Sequence, residues 1–157
     1  MIRDMRRNGA QPKDTMRKAG VDMVTGMGVV KAENKTVIFP TAETATNIYV
    51  ATKERIPTGL NCSRTDMSDY DEDFVNIKAG EPMGLERYTD GEKFATDQFV
   101  ADDFAEGVAD GFAVAVGTDG LWKKATVASK YVYAGPHDDN GHKLVMIRVE
   151  NEAVTNA

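Results

Sequence analysis

The chain has 157 residues, a formal net charge of −6 and one cysteine. A chain of this length is expected to form one domain plus tails and to bury roughly 68–70% of the surface its unfolded form exposes, so its core needs neither disulfides nor metal. Cys62 has no partner for an internal bridge, which excludes a disulfide scaffold and fits a reducing compartment. The opening residues Met1-Ile2-Arg3-Asp4-Met5-Arg6-Arg7 lack the apolar stretch of a secretory leader, and no run of about 18 apolar residues is present, so neither a signal peptide nor a membrane span is expected.

Charge divides along the chain. Residues 1–18 hold six basic side chains against Asp4 and Asp14, a balance of +4 that leaves −10 for the remainder. Residues 1–20 contain Gly9-Ala10-Gln11-Pro12 and no sustained 3.6-residue apolar repeat, so they read as a basic N-terminal arm, extended or only locally helical. On that reading the arm is removable without unfolding the β-rich remainder of the chain.

From Val21 onward the chain reads as strands and turns. Two strands around residues 28–32 and 35–39 join through Glu33-Asn34, and Asn47-Ile48-Tyr49-Val50-Ala51-Thr52 is rich in the β-branched and aromatic residues of a third. The polar middle, 53–73, ends in an acidic run at 66–73 that reads as an exposed loop. Strands come next around 74–78, 83–88 and 93–96, then a short helix or helical turn within 97–110. The next pair, 111–116 and 121–127, flanks Gly117-Thr118-Asp119-Gly120 in the manner of a hairpin. In the last hairpin, 130–134 leads through a turn at 135–141 into 143–150. Asp90-Gly91, Asp110-Gly111, Asp119-Gly120 and Asn140-Gly141 all read as hairpin punctuation, because Gly, Asp and Asn tolerate the positive φ of tight turns. The predicted fold is mainly β, a small antiparallel barrel or sandwich of hairpins. It comprises an extended arm (1–20), a β-rich domain (21–150) and a C-terminal tail (151–157).

No catalytic motif is present, and no enzymatic activity, cofactor or metal is expected. Asp69, Asp71 and Asp73 have the alternate spacing of a calcium loop, but the positions that require Gly and Glu hold Phe74 and Gly80. His137 and His142, with Asp138 and Asp139 between them, are metal-ligand types without a recognised metal spacing. Cys62 lies far in sequence from both histidines and reads as a structural thiol. Gly26-Met27-Gly28 lacks the third glycine and the helix of a phosphate loop. Trp122 before Lys123-Lys124 has the composition of a base-stacking site, yet a lone strand Trp more often anchors a core. An acidic body repels phosphate, so nucleic acid is not the expected partner.

Ile77-Lys78-Ala79-Gly80-Glu81-Pro82-Met83-Gly84-Leu85, Gly111-Phe112-Ala113-Val114-Ala115-Val116-Gly117 and the terminal hairpin together resemble the small β-rich decoration proteins on the heads of tailed bacteriophages, over about residues 74–150. The resemblance implies a virion location, a capsid-stabilising structural role, assembly in the host cytoplasm, the major capsid protein as partner and self-association on the capsid surface. The residues expected to dock are Arg3, Arg6, Arg7, Lys13, Arg17 and Lys18 of the arm, with Ile2 and Met5 as apolar anchors. Two other readings stay open: a soluble ligand- or glycan-binding β-barrel using the acidic run, or another virion protein of the tail or connector.

Overall fold

The computed structural model describes residues 1–9, 13–53 and 75–157. The first half contributes β1 (Ile2–Arg6), β2 (Asp14–Ala19), β3 (Met23–Val24), β4 (Gly28–Lys31), β5 (Thr36–Ile38) and β6 (Tyr49–Lys53). The second contributes β7 (Asn76–Ile77), β8 (Pro82–Glu86), β9 (Lys93–Thr96), β10 (Val114–Val116), β11 (Trp122–Lys124), β12 (Ser129–Asp139) and β13 (His142–Val154). As the turn pattern predicts, the fold is mainly β. Strands β2-β5-β4-β6-β8 close into a barrel, and β1-β9-β13-β12 form a four-stranded antiparallel sheet beside it. Within the barrel, β2 and β5 pair in parallel, the one departure from antiparallel order among the described ladders.

The two larger apolar clusters hold these units. Val29, Val37, Ala51, Met83 and Leu85 fill the barrel, leaving its interior packed with side chains. The second cluster is aromatic: Phe94 stacks on Tyr88 at 4.3 Å, meets the edge of Trp122 at 5.4 Å, and Trp122 in turn lies 5.2 Å from Tyr131. The Trp122 indole N–H donates to the Gly26 carbonyl at 3.2 Å, so this column is fastened to the chain just before β4.

The expected N-terminal arm is not an arm. β1 pairs with β9, Met1 is buried, and β2 is a stave of the barrel between β5 and β8. Its apolar residues lie on both faces of a strand: Ile2 packs against the aromatic cluster and Met5 against Met1, Ala95 and Leu144. Neither face repeats long enough to give a helical or strand period. Likewise the expected tail belongs to the fold. β13 continues to Val154, and the Asn156 side chain accepts from Ala113 N–H at 2.7 Å and donates to the Ala113 and Ala125 carbonyls, each at 2.8 Å.

The Gly pairs divide in role. Asp119-Gly120 closes the β10–β11 hairpin, and Asn140-Gly141, with φ of 55° and 86°, closes β12–β13 in a two-residue turn. That turn is shorter than predicted, because β12 runs on to Asp139 across a bulge at Gly135 (φ 103°). Asp90-Gly91 and Asp110-Gly111 make no hairpin. The first carries the chain from β8 in the barrel to β9 in the sheet, and Gly91 N–H donates to the Val149 carbonyl at 2.7 Å. In place of a longer helix, residues 97–110 contain a 3₁₀ turn, Ala101–Phe104, preceded by a parallel bridge from Phe99 to Trp122. The acidic run 66–73 and Cys62 lie outside the described residues.

Candidate functional site

Most of the eight residues expected to dock on a partner are engaged internally. A register shift between Asp4 and Arg6 makes Met5 an extra residue in β1. One extra residue reverses the alternation of side chains, so Arg7 falls on the same face as Asp4. There its guanidinium lies 3.9 Å over the Tyr88 ring and reaches Glu86 at 3.0 Å, Glu92 at 3.3 Å and Asp4 at 3.4 Å. Lys13 joins Glu86 at 3.0 Å, Arg3 joins Asp139 at 2.8 Å, and Arg17 shares Asp14 with Lys31 at 2.9 and 2.8 Å. Lys31 and then Arg17 hold the Asp14 carboxyl down to about 2. Ile2 and Met5 are half-buried. Arg6 and Lys18 are exposed and make no ion pair among the described residues.

The structure instead brings together residues that sequence reasoning left apart. A cleft of about 780 Å³ opens where the barrel meets the sheet. Its walls are the 45–47 segment before β6, the 87–90 corner after β8, and β12 and β13 around Lys130, Tyr131 and Ala153. Asn47 adopts a left-handed φ of 54°, a conformation Asn accepts more readily than most residues, and so turns the chain at the rim. On the opposite wall the β12–β13 register jumps from Tyr131↔Val149 to Ser129↔Val154, so Lys130 alone faces residues 150–153. Such a bulge leaves backbone groups outside the ladder.

Two polar side chains in the cleft lack satisfied partners among the described residues. Tyr131 is 8% exposed, and its hydroxyl makes a single contact among the described residues, a 3.5 Å approach to the Ile48 carbonyl. A full O–H···O bond spans ~2.5–3.0 Å. Burial pushes the Tyr131 phenol up to about 12, against the opposing effect of nearby Arg87. Arg87 is exposed, makes no ion pair among the described residues, and has the Tyr49 ring 6.0 Å from its guanidinium. Lys130, by contrast, reaches Asp90 at 3.4 Å. Among the described residues the cleft therefore presents one unpaired cation beside one under-bonded hydroxyl, between small apolar walls.

Other sequence candidates resolve into structure. His142 Nε2 lies 2.9 Å from Asp97 Oδ2, while Asp97 Oδ1 accepts from the Met1 ammonium at 2.5 Å. His137 stands opposite Leu144 within the ladder, and among the described residues no three His, Cys, Asp or Glu side chains converge as a metal cage. Gly26 and Gly28 spend their N–H groups on the Ala51 and Gly120 carbonyls, each at 2.9 Å, so they form no phosphate cradle. Trp122 is fully buried and unavailable for stacking on bases; Lys123 beside it pairs with Glu43 at 2.9 Å. Among the described residues no helix is long and apolar enough to cross a membrane. One sequence signal for the cleft existed: Arg87 is one of only three basic residues, with Lys78 and Lys93, set among fourteen acids between 66 and 110. No family model, curated protein or solved structure matches the chain.

Proposed function

We propose that the chain is a non-enzymatic structural protein of a virus particle, a capsid decoration protein that binds the major capsid protein and stabilises the head shell. The observation that carries this reading is the junction cleft, where a guanidinium without an ion pair and a hydroxyl under-bonded among the described residues, beside unladdered backbone, suit docking of another polypeptide. The resemblance over residues 74–150, which covers β7 to most of β13, supports the same conclusion. A protein that binds the assembled shell better than free subunits stabilises the shell by mass action. Arg6 and Lys18 are the basic residues of the N-terminal strands left to add contacts of their own.

Mass spectrometry of gradient-purified particles tests the proposal. The chain is expected at a fixed ratio to the major capsid protein and should co-sediment with heads. Its absence from particles, with the protein running free on the gradient, would sink the virion reading and favour the soluble binding module, for which the same cleft is the site.

A further inference from the structure

We infer that the junction cleft binds an acidic side chain, Asp or Glu, carried on an extended segment of a partner polypeptide, with Arg87 gripping the carboxylate and the Tyr131 hydroxyl donating to it. This deepens the proposed function and rests on it only for the identity of the partner as a shell protein.

Five features select that occupant. A planar guanidinium with no ion pair among the described residues matches a carboxylate in charge and in fork geometry. The hydroxyl beside it belongs to a side chain 8% exposed, whose one contact among the described residues, at 3.5 Å, leaves its donor capacity unspent there. A sugar would need an open aromatic face. Tyr88 has Arg7 at 3.9 Å and Phe94 at 4.3 Å, and Tyr131 is buried against Trp122, so neither ring offers one. A phosphate backbone would need several cations, and Lys130, the other cation of the cleft, is already committed to Asp90 at 3.4 Å. The choice of a polypeptide over a free acid comes from the bulge: residues 150–153 stand opposite Lys130 alone and present backbone groups to which an extended strand can pair.

The experiment titrates the isolated, isotopically labelled protein with the capped peptide acetyl-Val-Glu-Val-amide, its Glu→Gln counterpart, and sodium propionate, followed by amide chemical shifts. The Glu peptide is expected to give saturable shifts confined to residues 45–47, 87–90 and 150–153. The Gln peptide should bind at least about tenfold more weakly, as should the Glu peptide to Arg87→Gln or Tyr131→Phe, since each change removes a charge-assisted hydrogen bond. Arg87→Gln changes an exposed side chain, and Tyr131→Phe keeps the ring in the aromatic cluster while removing only its hydroxyl, so melting temperatures within about 2 °C of the parent would show that folding is intact. Equal affinity for the Gln peptide, indifference to both variants, shifts elsewhere, or no saturation would overturn the carboxylate site. Propionate binding as tightly as the peptide would overturn the polypeptide as occupant. The two proposals fail separately: peptide binding by a protein absent from particles removes only the virion reading, and a particle-bound protein without peptide binding removes only the cleft.

Discussion

Glu92 is fully buried, and its carboxylate is nonetheless held ionised. Asn8 N–H donates to Oε1 at 3.0 Å, and Thr89 N–H at 2.7 Å and Arg7 at 3.3 Å reach Oε2. Burial raises its pKa, but the two backbone bonds and Arg7 together prevail and leave it below the ordinary 4.5. The stabilisation from this group is therefore complete above pH 4.5 and is lost as pH falls through the lower folded value. Glu92→Gln keeps the shape and forfeits the charge, with an expected loss of about 2 kcal/mol at pH 7, the scale of hydrogen bonds to charged groups. Because the variant does not titrate there, urea unfolding of the two proteins should converge as pH falls through that lowered folded value. A constant gap across that range would mean that the loss comes from packing, not from the charge.

At the scale of elements, the contact between β4 and the β10–β11 hairpin depends on one missing side chain. A Cβ on Gly28 would stand 2.2 Å from Val116 Cγ2 and 2.8 Å from Cγ1, and Val116 is fully buried between Thr44 and Trp122. Gly28→Ala is expected to destabilise by about 2 kcal/mol, as overpacking does, with the urea midpoint lowered and the slope unchanged. A loss under about 0.5 kcal/mol would show that the hairpin slides freely on the barrel. The Gly28 contact was invisible in sequence, whereas β4–β5 and β12–β13 were legible because each pair joins apolar alternation to a short turn of suitable residues. Asp-Gly was a weaker guide: it encodes a positive φ, and Gly91 uses that freedom to cross between sheets. β1 escaped detection because the extra residue Met5 breaks its alternation, and because the partners of Arg3 and of Arg7 just beyond the strand, Asp139, Glu86 and Glu92, are remote in sequence. Asn47, Arg87 and Tyr131 form a site only through tertiary packing, and no local pattern links positions so far apart.

For the whole molecule, the N-terminal residues decide whether barrel and sheet hold together. β1 completes the edge of the sheet, Arg7 and Lys13 bridge to Glu86 of β8, and Arg7 also caps the aromatic column at Tyr88. Removing residues 1–9 uncovers β9, takes Met1 and Ile2 out of their clusters, and leaves Glu92 buried without Arg7 or Asn8. Taking its charged partner from a buried charge costs about 3–5 kcal/mol, against a total stability of about 5–15 kcal/mol for a typical domain. The truncated chain is therefore expected to lose fixed packing around Trp122, seen as loss of the near-ultraviolet circular dichroism signal and collapse of amide shift dispersion. A truncated protein with native signals would restore the N-terminal residues to the status of a separable arm. If the signals vanish, truncation is no test of docking, because any loss of attachment then stems from loss of the fold. Attachment is in that case to be tested with Arg6→Gln and Lys18→Gln, whose side chains are exposed and make no ion pair among the described residues, so the variants should melt within about 2 °C of the parent. Unchanged particle occupancy in the double variant would exclude these two cations from the docking surface.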